Sequence, residues 1–204
     1  MNHRNVDEIR SVMESKDYSF FEKGIYNLNI IGERTMNEET NEFDDTLHVV
    51  YREKEGGELI SRTFQITTDP GKYWLKHPMN KDGCAIVVPN QYRGLWAIGK
   101  HQGKYEALRQ VGMIKVYRDD DRDNELDFDP TTIKEGRYGI NCHRSNPYTE
   151  SYYVDKWSAG CQVFKKIKEY NEFMELCRKS RSLYGNSFTY TLLTSDDFGV
   201  AEAA

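Results

Sequence analysis

The chain lacks the features that mark membrane-spanning and exported proteins. No apolar run approaches the ~18–20 residues that a helix needs to cross a bilayer. The first ten residues contain no apolar stretch of the kind that a secretory signal carries. We therefore expect a protein that is made in the cytoplasm without a signal peptide and that has no membrane partner.

Metal-binding cysteine motifs and an excess of positive charge are also missing. The four cysteines have neither CxxC nor any other metal-ligand spacing, and in a reducing compartment they are expected to be free thiols. With 33 acidic and 28 basic residues the formal net charge is −5, which leaves no basic field to hold a nucleic-acid backbone. These absences argue against a zinc-cysteine module and against a nucleic-acid partner.

Aromatic residues, in contrast, are plentiful. Fourteen Tyr and nine Phe in 204 residues favour strands and a groove with aromatic walls. This length is enough for one well-cored domain. We place a single catalytic domain at 1–198 and expect a frayed tail at 199–204.

Local patterns of apolar residues predict many strands and few helices. The predicted strands are 25–31, 47–52, 59–67, 84–88, 94–98, 113–117, 138–142, 162–164 and 188–193. The predicted helices are 5–17 and 167–181, with a helical turn at 104–110. These elements indicate a strand-rich α+β domain, or a β-sandwich with flanking helices.

One cysteine and one histidine stand where a thiol enzyme needs them. His143 follows the apolar run 138–142, and Cys161 follows the small-residue turn 158–160. A free thiol has a pKa of about 8.5, so a nearby base or cation is needed to activate it. We predict Cys161 as nucleophile, His143 as base or imidazolium partner, and the N–H groups of Gly160 and Cys161 as an oxyanion hole. The alternative is a buried cysteine and a hydrogen-bonded histidine that are neighbours by chance.

These residues resemble the signature of the L,D-transpeptidase (YkuD-like) catalytic domain. That family has a histidine after a Gly-rich strand, here His143, and then a Ser/Thr-His-Gly-Cys box. Three box positions match, at Ser158, Gly160 and Cys161, while Ala159 replaces the box histidine. The resemblance covers about 84–165.

The resemblance implies an L,D-transpeptidase-like β-sandwich with flanking helices. It also implies a cysteine peptidase or acyltransferase that acts on peptidoglycan stem peptides through a thioester acyl-enzyme. No cofactor is required for that chemistry. Hydrolysis and transpeptidation both remain open.

Residues 154–164 also resemble proteins encoded by tailed bacteriophages. This implies a phage cell-wall-degrading enzyme, either a lysin or a virion-associated protein with other virion proteins as partners. It would act on the wall after release or as part of a virion. Two rival interpretations remain: a non-catalytic structural or wall-binding module that retains the fold, and an intracellular cysteine peptidase with a non-wall substrate.

Four further residues are candidate substrate contacts, each with a plainer alternative. Arg144 is expected to bind a stem-peptide carboxylate in bidentate fashion, or to be a surface arginine. Ser158 is a substrate donor or a brace of the turn. His101, in a Gly-flanked loop, stands in for the missing box histidine or lies on the surface. Tyr92 is a candidate groove wall.

A run of aspartates forms a second distinctive motif. Asp119, Asp121, Asp123 and Asp127 occupy positions 1, 3, 5 and 9 of a segment that resembles calcium loops of the EF-hand and dockerin type. Alternating carboxylates on a tight loop converge on one hard cation. Pro130 replaces the bidentate glutamate of a full EF-hand. The motif therefore predicts a structural calcium site, with a solvated acidic turn as the alternative.

Overall fold

The computed structural model describes residues 2–36 and 40–199. The strands in these residues are β1 (Asn29–Arg34), β2 (Asp45–Arg52), β3 (Leu59–Thr67), β4 (Cys84–Val87), β5 (Asn90–His101), β6 (Tyr105–Gln110), β7 (Ile114–Asp119), β8 (Lys134–Gly136), β9 (Cys142–Arg144), β10 (Gln162–Phe164) and β11 (Phe188–Thr194). The α-helices are α1 (Val6–Ser15), α2 (Lys72–Lys76), α3 (Ile167–Tyr184) and α4 (Asp196–Gly199), and a 3-10 turn spans Pro130–Thr132. None of these helices has the length and apolar character needed to cross a membrane.

Eight of the strands form one mixed sheet that closes on itself. Their order is β1-β11-β5-β6-β9-β10-β3-β2, and β2 pairs back onto β1. The β1–β11 and β9–β10 pairs are parallel, and the other pairs in this sheet are antiparallel. Strands β4, β7 and β8 form a separate antiparallel sheet. The predicted strand-rich α+β class is confirmed.

The main core is built from the large sheet and α3. Trp96, Leu108, Phe164 and Phe173 are fully buried members of this cluster, and the rings of Phe164 and Phe173 lie 5.1 Å apart. Burial of apolar side chains in such a core is the dominant favourable contribution to the free energy of folding. A smaller cluster holds α1 against β1 and β2.

Most predicted elements are present, with two informative errors. Residues 104–110 form strand β6 instead of a helical turn, because pairing with β5 across a tight hairpin outweighs their local helical pattern. The predicted strand 138–142 is irregular up to Asn141, and Gly139 has a φ of +76°, which is outside the β region. Helices α2 and α4 were not predicted. The predicted frayed tail lies outside the described residues, except that Gly199 ends α4.

Candidate active site

Parallel pairing of β9 with β10 brings Cys161 beside Asn141. Gln162 is in register with Cys142, and the Gln162 N–H donates to the Asn141 carbonyl at 2.9 Å. One residue earlier, the Asn141 N–H donates to Cys161 Sγ at 3.4 Å. The loop between the two strands therefore returns the cysteine to the start of the strand that carries His143.

The predicted nucleophile and the predicted base share the outer face of this strand pair. Cys142 and Phe164 belong to the main core. Because side chains alternate along a strand, His143 and Val163 point to the opposite face. Asn141, which contacts His101 beside His143, and Cys161, which packs with Val163, lie on this face too. His143 is two residues beyond Asn141, a rise of about 6.6 Å. In the part of the chain that the structure describes, no hydrogen bond joins His143 to Cys161; catalytic hydrogen bonds often form only in the substrate complex.

His143 is held by a backbone carbonyl. Its side chain is buried, and the Nδ1–H donates to the Arg144 carbonyl at 2.9 Å. This bond assigns the proton to Nδ1 and leaves Nε2 as the basic nitrogen. Burial, with a smaller contribution from the neighbouring His101, lowers the pKa of His143 to about 3. The imidazole is therefore neutral at neutral pH and can accept a proton.

Cys161 is a protonated thiol in this resting arrangement. Its side chain is partly exposed, and Sγ lies 3.5 Å from the Gly139 carbonyl. Desolvation raises the pKa of the thiol to about 11, against the opposing effect of the Asn141 N–H. A neutral thiol beside a neutral imidazole favours general-base activation over a preformed thiolate–imidazolium pair.

Ser158 braces the turn that presents the cysteine. Its buried hydroxyl donates to the Cys161 carbonyl at 2.8 Å and accepts the Gly160 N–H at 3.2 Å. This geometry favours Ser158 as a brace of the turn over Ser158 as a hydrogen-bond donor to the substrate. The Gly160 N–H already donates to Ser158. It could therefore serve an oxyanion hole only if its hydrogen bond to Ser158 were broken.

Replacement of Gly160 is expected to destabilise the folded protein strongly. It has a φ of +109°, and a Cβ at this position would overlap the Ala85 carbonyl oxygen. We expect Gly160→Ala to lower the free energy of unfolding by about 3 kcal/mol or more, because strain and overlap add. Gly185→Ala is the matched control: its φ is +87° but nothing lies within 4 Å, so backbone strain alone should cost about 1–3 kcal/mol, less than strain and overlap together. Urea unfolding measures both, and equal losses would contradict the overlap.

The tip of the β5–β6 hairpin forms the wall beside His143. The His101 ring stacks on the His143 ring with centroids 4.2 Å apart, and His101 Nδ1 lies 3.3 Å from the Asn141 amide nitrogen. The Tyr105 hydroxyl lies 3.5 Å from His143 Nδ1 and donates to the Arg144 carbonyl at 3.3 Å. The hairpin thus supports both the base and the carbonyl that orients it.

Two cavities flank this arrangement. The first, of about 340 Å³, is lined by His101, Tyr105, His143, Arg144, Lys156 and Trp157, among others. The second, of about 270 Å³, is lined by Cys84, Ala85, Arg118, Arg137, Tyr138 and Ala159, among others. Cys161 itself lines neither cavity; Trp157 lines the first, and Ala159, in the turn before Cys161, lines the second.

The predicted substrate contacts fall into two groups. His101 and Arg144 lie together in the first cavity, where the Arg144 guanidinium sits 4.0 Å from the centre of the Tyr105 ring. Tyr92 does not wall the groove: it is buried in the main core and its hydroxyl donates to the Val88 carbonyl at 2.6 Å. Strand β5 points the Tyr92 side chain inward, so its aromatic ring packs in the core and does not face the groove.

Sequence reasoning missed Asn141 and Tyr105. Asn141 contacts the sulfur through its backbone N–H and His101 through its side chain. Tyr105 falls in the predicted helical turn 104–110. Its alternation with the buried Ala107 is the sequence feature that indicates a strand instead. For Asn141 no signal existed without the register of β9 and β10.

Three of the four predicted metal ligands converge. Asp119, Asp121 and Asp127 each offer a carboxylate oxygen within 4.8 Å of the others. Burial, with smaller contributions from the charges of Asp127 and Asp121, raises the pKa of Asp119 to about 6. Asp123 instead accepts the backbone N–H groups of Asn124 and Glu125.

The buried histidine predicts a specific loss of stability in acid. The unfolded chain takes up a proton at His143 below about pH 6.5, whereas the folded protein does so only near pH 3. Stability is therefore lost as the pH falls from about 6.5 towards 3, by up to about 1.4 kcal/mol per pH unit from this group. Urea unfolding at pH 7, 6 and 5 should show a shallower slope for His143→Gln than for wild type. The exposed control His77→Gln should keep the wild-type slope, and parallel slopes for all three would contradict the neutral, buried state.

Comparisons with protein-family models, with curated proteins and with solved structures find no match to this chain. Its function is therefore inferred from the site itself. The site combines a thiol, a neutral imidazole fixed by a carbonyl, and two cavities lined by residues next to the base and just before the cysteine.

Proposed function

We propose that this protein is a cysteine-dependent peptidoglycan stem-peptide hydrolase or transpeptidase. The observation that carries the proposal is the common face of Asn141, His143 and Cys161, fixed by the pairing of β9 with β10. Nucleophile, base and a carbonyl that orients the base are the parts of a thiol acyl-transfer site. The finer assignment of the fold, an L,D-transpeptidase-like β-sandwich with flanking helices, belongs to this proposal.

The reaction follows from the protonation states of the two side chains. His143 Nε2 accepts the thiol proton as Cys161 Sγ attacks the amide carbonyl carbon. The tetrahedral intermediate collapses, the C–N bond breaks, and the leaving amine takes the proton from His143, which leaves a thioester. Water then attacks the thioester in a hydrolase, or an amine does so in a transpeptidase, and the thiol is regenerated.

Basic side chains of the first cavity support an acidic peptide as substrate. Arg144 and Lys156 line the cavity beside His143. A guanidinium binds a carboxylate through two parallel hydrogen bonds, and stem peptides carry free carboxylates. We assign Arg144 to this contact. We assign His101 to the cavity wall, as the residue that takes the place of the missing box histidine.

The test is digestion of purified sacculi from several wall chemotypes, read by mass spectrometry of the released muropeptides. Hydrolysis adds one water to the cleaved peptide, whereas transfer to an added D-amino acid gives a product that carries that amino acid. New products of either kind support the proposal and separate the two reactions. Unchanged muropeptides in every chemotype would overturn it.

We further propose a phage setting, on the likeness of residues 154–164 to tailed-phage proteins. In this setting the enzyme acts on the wall after release as a lysin, or from a particle together with other virion proteins. Stem peptides are the substrate in both cases.

A non-catalytic wall-binding or structural module is the second candidate. It is favoured by the raised pKa of the Cys161 thiol and by Ala159 in place of the box histidine. Alkylation of the folded protein with iodoacetamide separates the two. An enzyme should lose activity as Cys161 is modified, whereas in a structural module Cys161 should resist alkylation and sacculi should remain unchanged.

A further inference from the structure

An acidic segment begins at Asp119, the last residue of β7, and continues to Asp127. We propose that Asp119, Asp121 and Asp127 bind one hard divalent cation, with calcium as the preferred ion. One oxygen from each carboxylate lies within 4.8 Å of the other two. Calcium–oxygen bonds are about 2.3–2.6 Å long, so ligands on opposite sides of one ion are about 5 Å apart. The three oxygens thus have the spacing of a single coordination sphere.

A buried oxygen without a partner is the independent sign of a ligand. Asp119 is 1% exposed, and its Oδ1 has no hydrogen-bond partner among the residues that the structure describes. The other oxygen, Oδ2, accepts the Asp127 N–H at 3.3 Å. A buried carboxylate oxygen left unpaired is costly. A cation bound by this carboxylate and those of Asp121 and Asp127 would satisfy it and relieve the repulsion among the three charges.

The rest of the segment is arranged to hold this shape. The Thr40 hydroxyl donates to the Asn124 carbonyl at 2.8 Å, and the Phe128 ring packs edge-on against Tyr117 with centroids 5.7 Å apart. Asp123 turns its carboxylate onto the backbone N–H groups of the next two residues and so supports the loop without serving as a ligand.

Three carboxylates are fewer ligands than calcium requires. The ion takes six to eight oxygens, so backbone carbonyls and water would complete the shell. Without a bidentate glutamate in the twelfth position, the affinity is expected to be modest, with a Kd on the order of 10⁻⁴ M. Such a site suits an environment rich in calcium.

The cation site is linked to the second cavity through one strand. Asp119 is the last residue of β7, and the preceding residue, Arg118, points to the other face and lines the cavity next to Ala159. The Arg118 guanidinium lies 4.4 Å from the centre of the Tyr138 ring. Bound calcium would therefore fix the end of the strand that positions this cavity wall.

Calorimetric titration of the chelator-treated full chain with calcium chloride tests the proposal. We expect one ion per chain and a Tm about 5 °C higher in 10 mM calcium than in chelator. Asp121→Asn and Asp127→Asn should each weaken binding by about tenfold or more, because each removes a charged ligand. Asp120→Asn, which removes an equal charge from an exposed neighbour, should bind as wild type does.

Two results would overturn the proposal: wild type that gives neither heat nor a Tm shift, or ligand variants that bind as well as Asp120→Asn. Asp121 is exposed, so its replacement should not unfold the chain, and circular dichroism checks this for each variant. No substrate is present in the titration, so its outcome is independent of the proposed enzyme activity.

Discussion

Replacing Cys161 with alanine is expected to lower the initial rate of muropeptide release from purified sacculi by about 10³-fold or more. The sulfur is the only protein atom in the proposed reaction that forms a covalent bond with the substrate, and no other thiol reaches this face. Cys84, Cys142 and Cys177 are buried, and burial raises the pKa of each of them. Mass spectrometry of products taken at several times gives the rates.

Cys177→Ala is the matched control for this substitution. Cys177 is buried in α3 and packs in the main core, on the side of β9 opposite to the face that carries His143. Its loss should lower the Tm while muropeptide release at 25 °C stays within about twofold of wild type. Cys161 is partly exposed, so the Cys161→Ala protein should keep its Tm. If it kept a tenth or more of the wild-type rate, Cys161 would not be the nucleophile.

His143→Gln is expected to lower the rate by about 10²- to 10⁴-fold, the usual contribution of general-base catalysis. In the wild type, the Arg144 carbonyl accepts the Nδ1–H of His143. The glutamine side chain can still donate a hydrogen bond to this carbonyl, but it cannot accept the thiol proton. The loss should appear in kcat more than in KM, because the proton is taken up on the way to the transition state. Initial rates over a range of concentrations of a soluble muropeptide measure both constants.

His77→Gln provides the comparison for the histidine. His77 follows α2, is exposed, and stacks on Tyr73 with ring centroids 4.8 Å apart. The substitution His77→Gln should leave the rate of muropeptide turnover unchanged. Equal rates for wild type and His143→Gln would remove His143 from the chemistry and favour the non-catalytic module.

The sequence predicts those parts of the fold that depend on local patterns. Strands Leu59–Thr67 and Gln162–Phe164 begin and end where the pattern places them. The helix that starts at Ile167 is predicted because its apolar residues recur on one face. In each case neighbouring residues carry the signal.

Features set by distant pairing are not visible in the sequence. Tyr105 reaches His143 only because β6 pairs with β5 and the hairpin tip folds over β9. Asn141 meets Cys161 only through the parallel register of β9 and β10. Local propensity does not encode either contact, so the side chains nearest to the predicted nucleophile and base were missed.

The electrostatic state of the site was likewise open at the level of sequence. The sequence is compatible with His143 as a neutral base and as an imidazolium. In the folded protein, desolvation drives His143 and Cys161 towards their neutral forms. The residue types were predictable, but their protonation depends on how deeply the fold buries them.

The most direct test of the central claim is to trap the thioester on Cys161. Wild type is mixed with soluble muropeptides, quenched in acid within seconds, digested with trypsin and analysed by mass spectrometry at the peptide 157–165. We predict a mass increase on this peptide equal to the acyl part of the stem peptide, removable by hydroxylamine and absent from Cys161→Ala. An unmodified peptide at every quench time, together with unchanged muropeptides, would contradict the account.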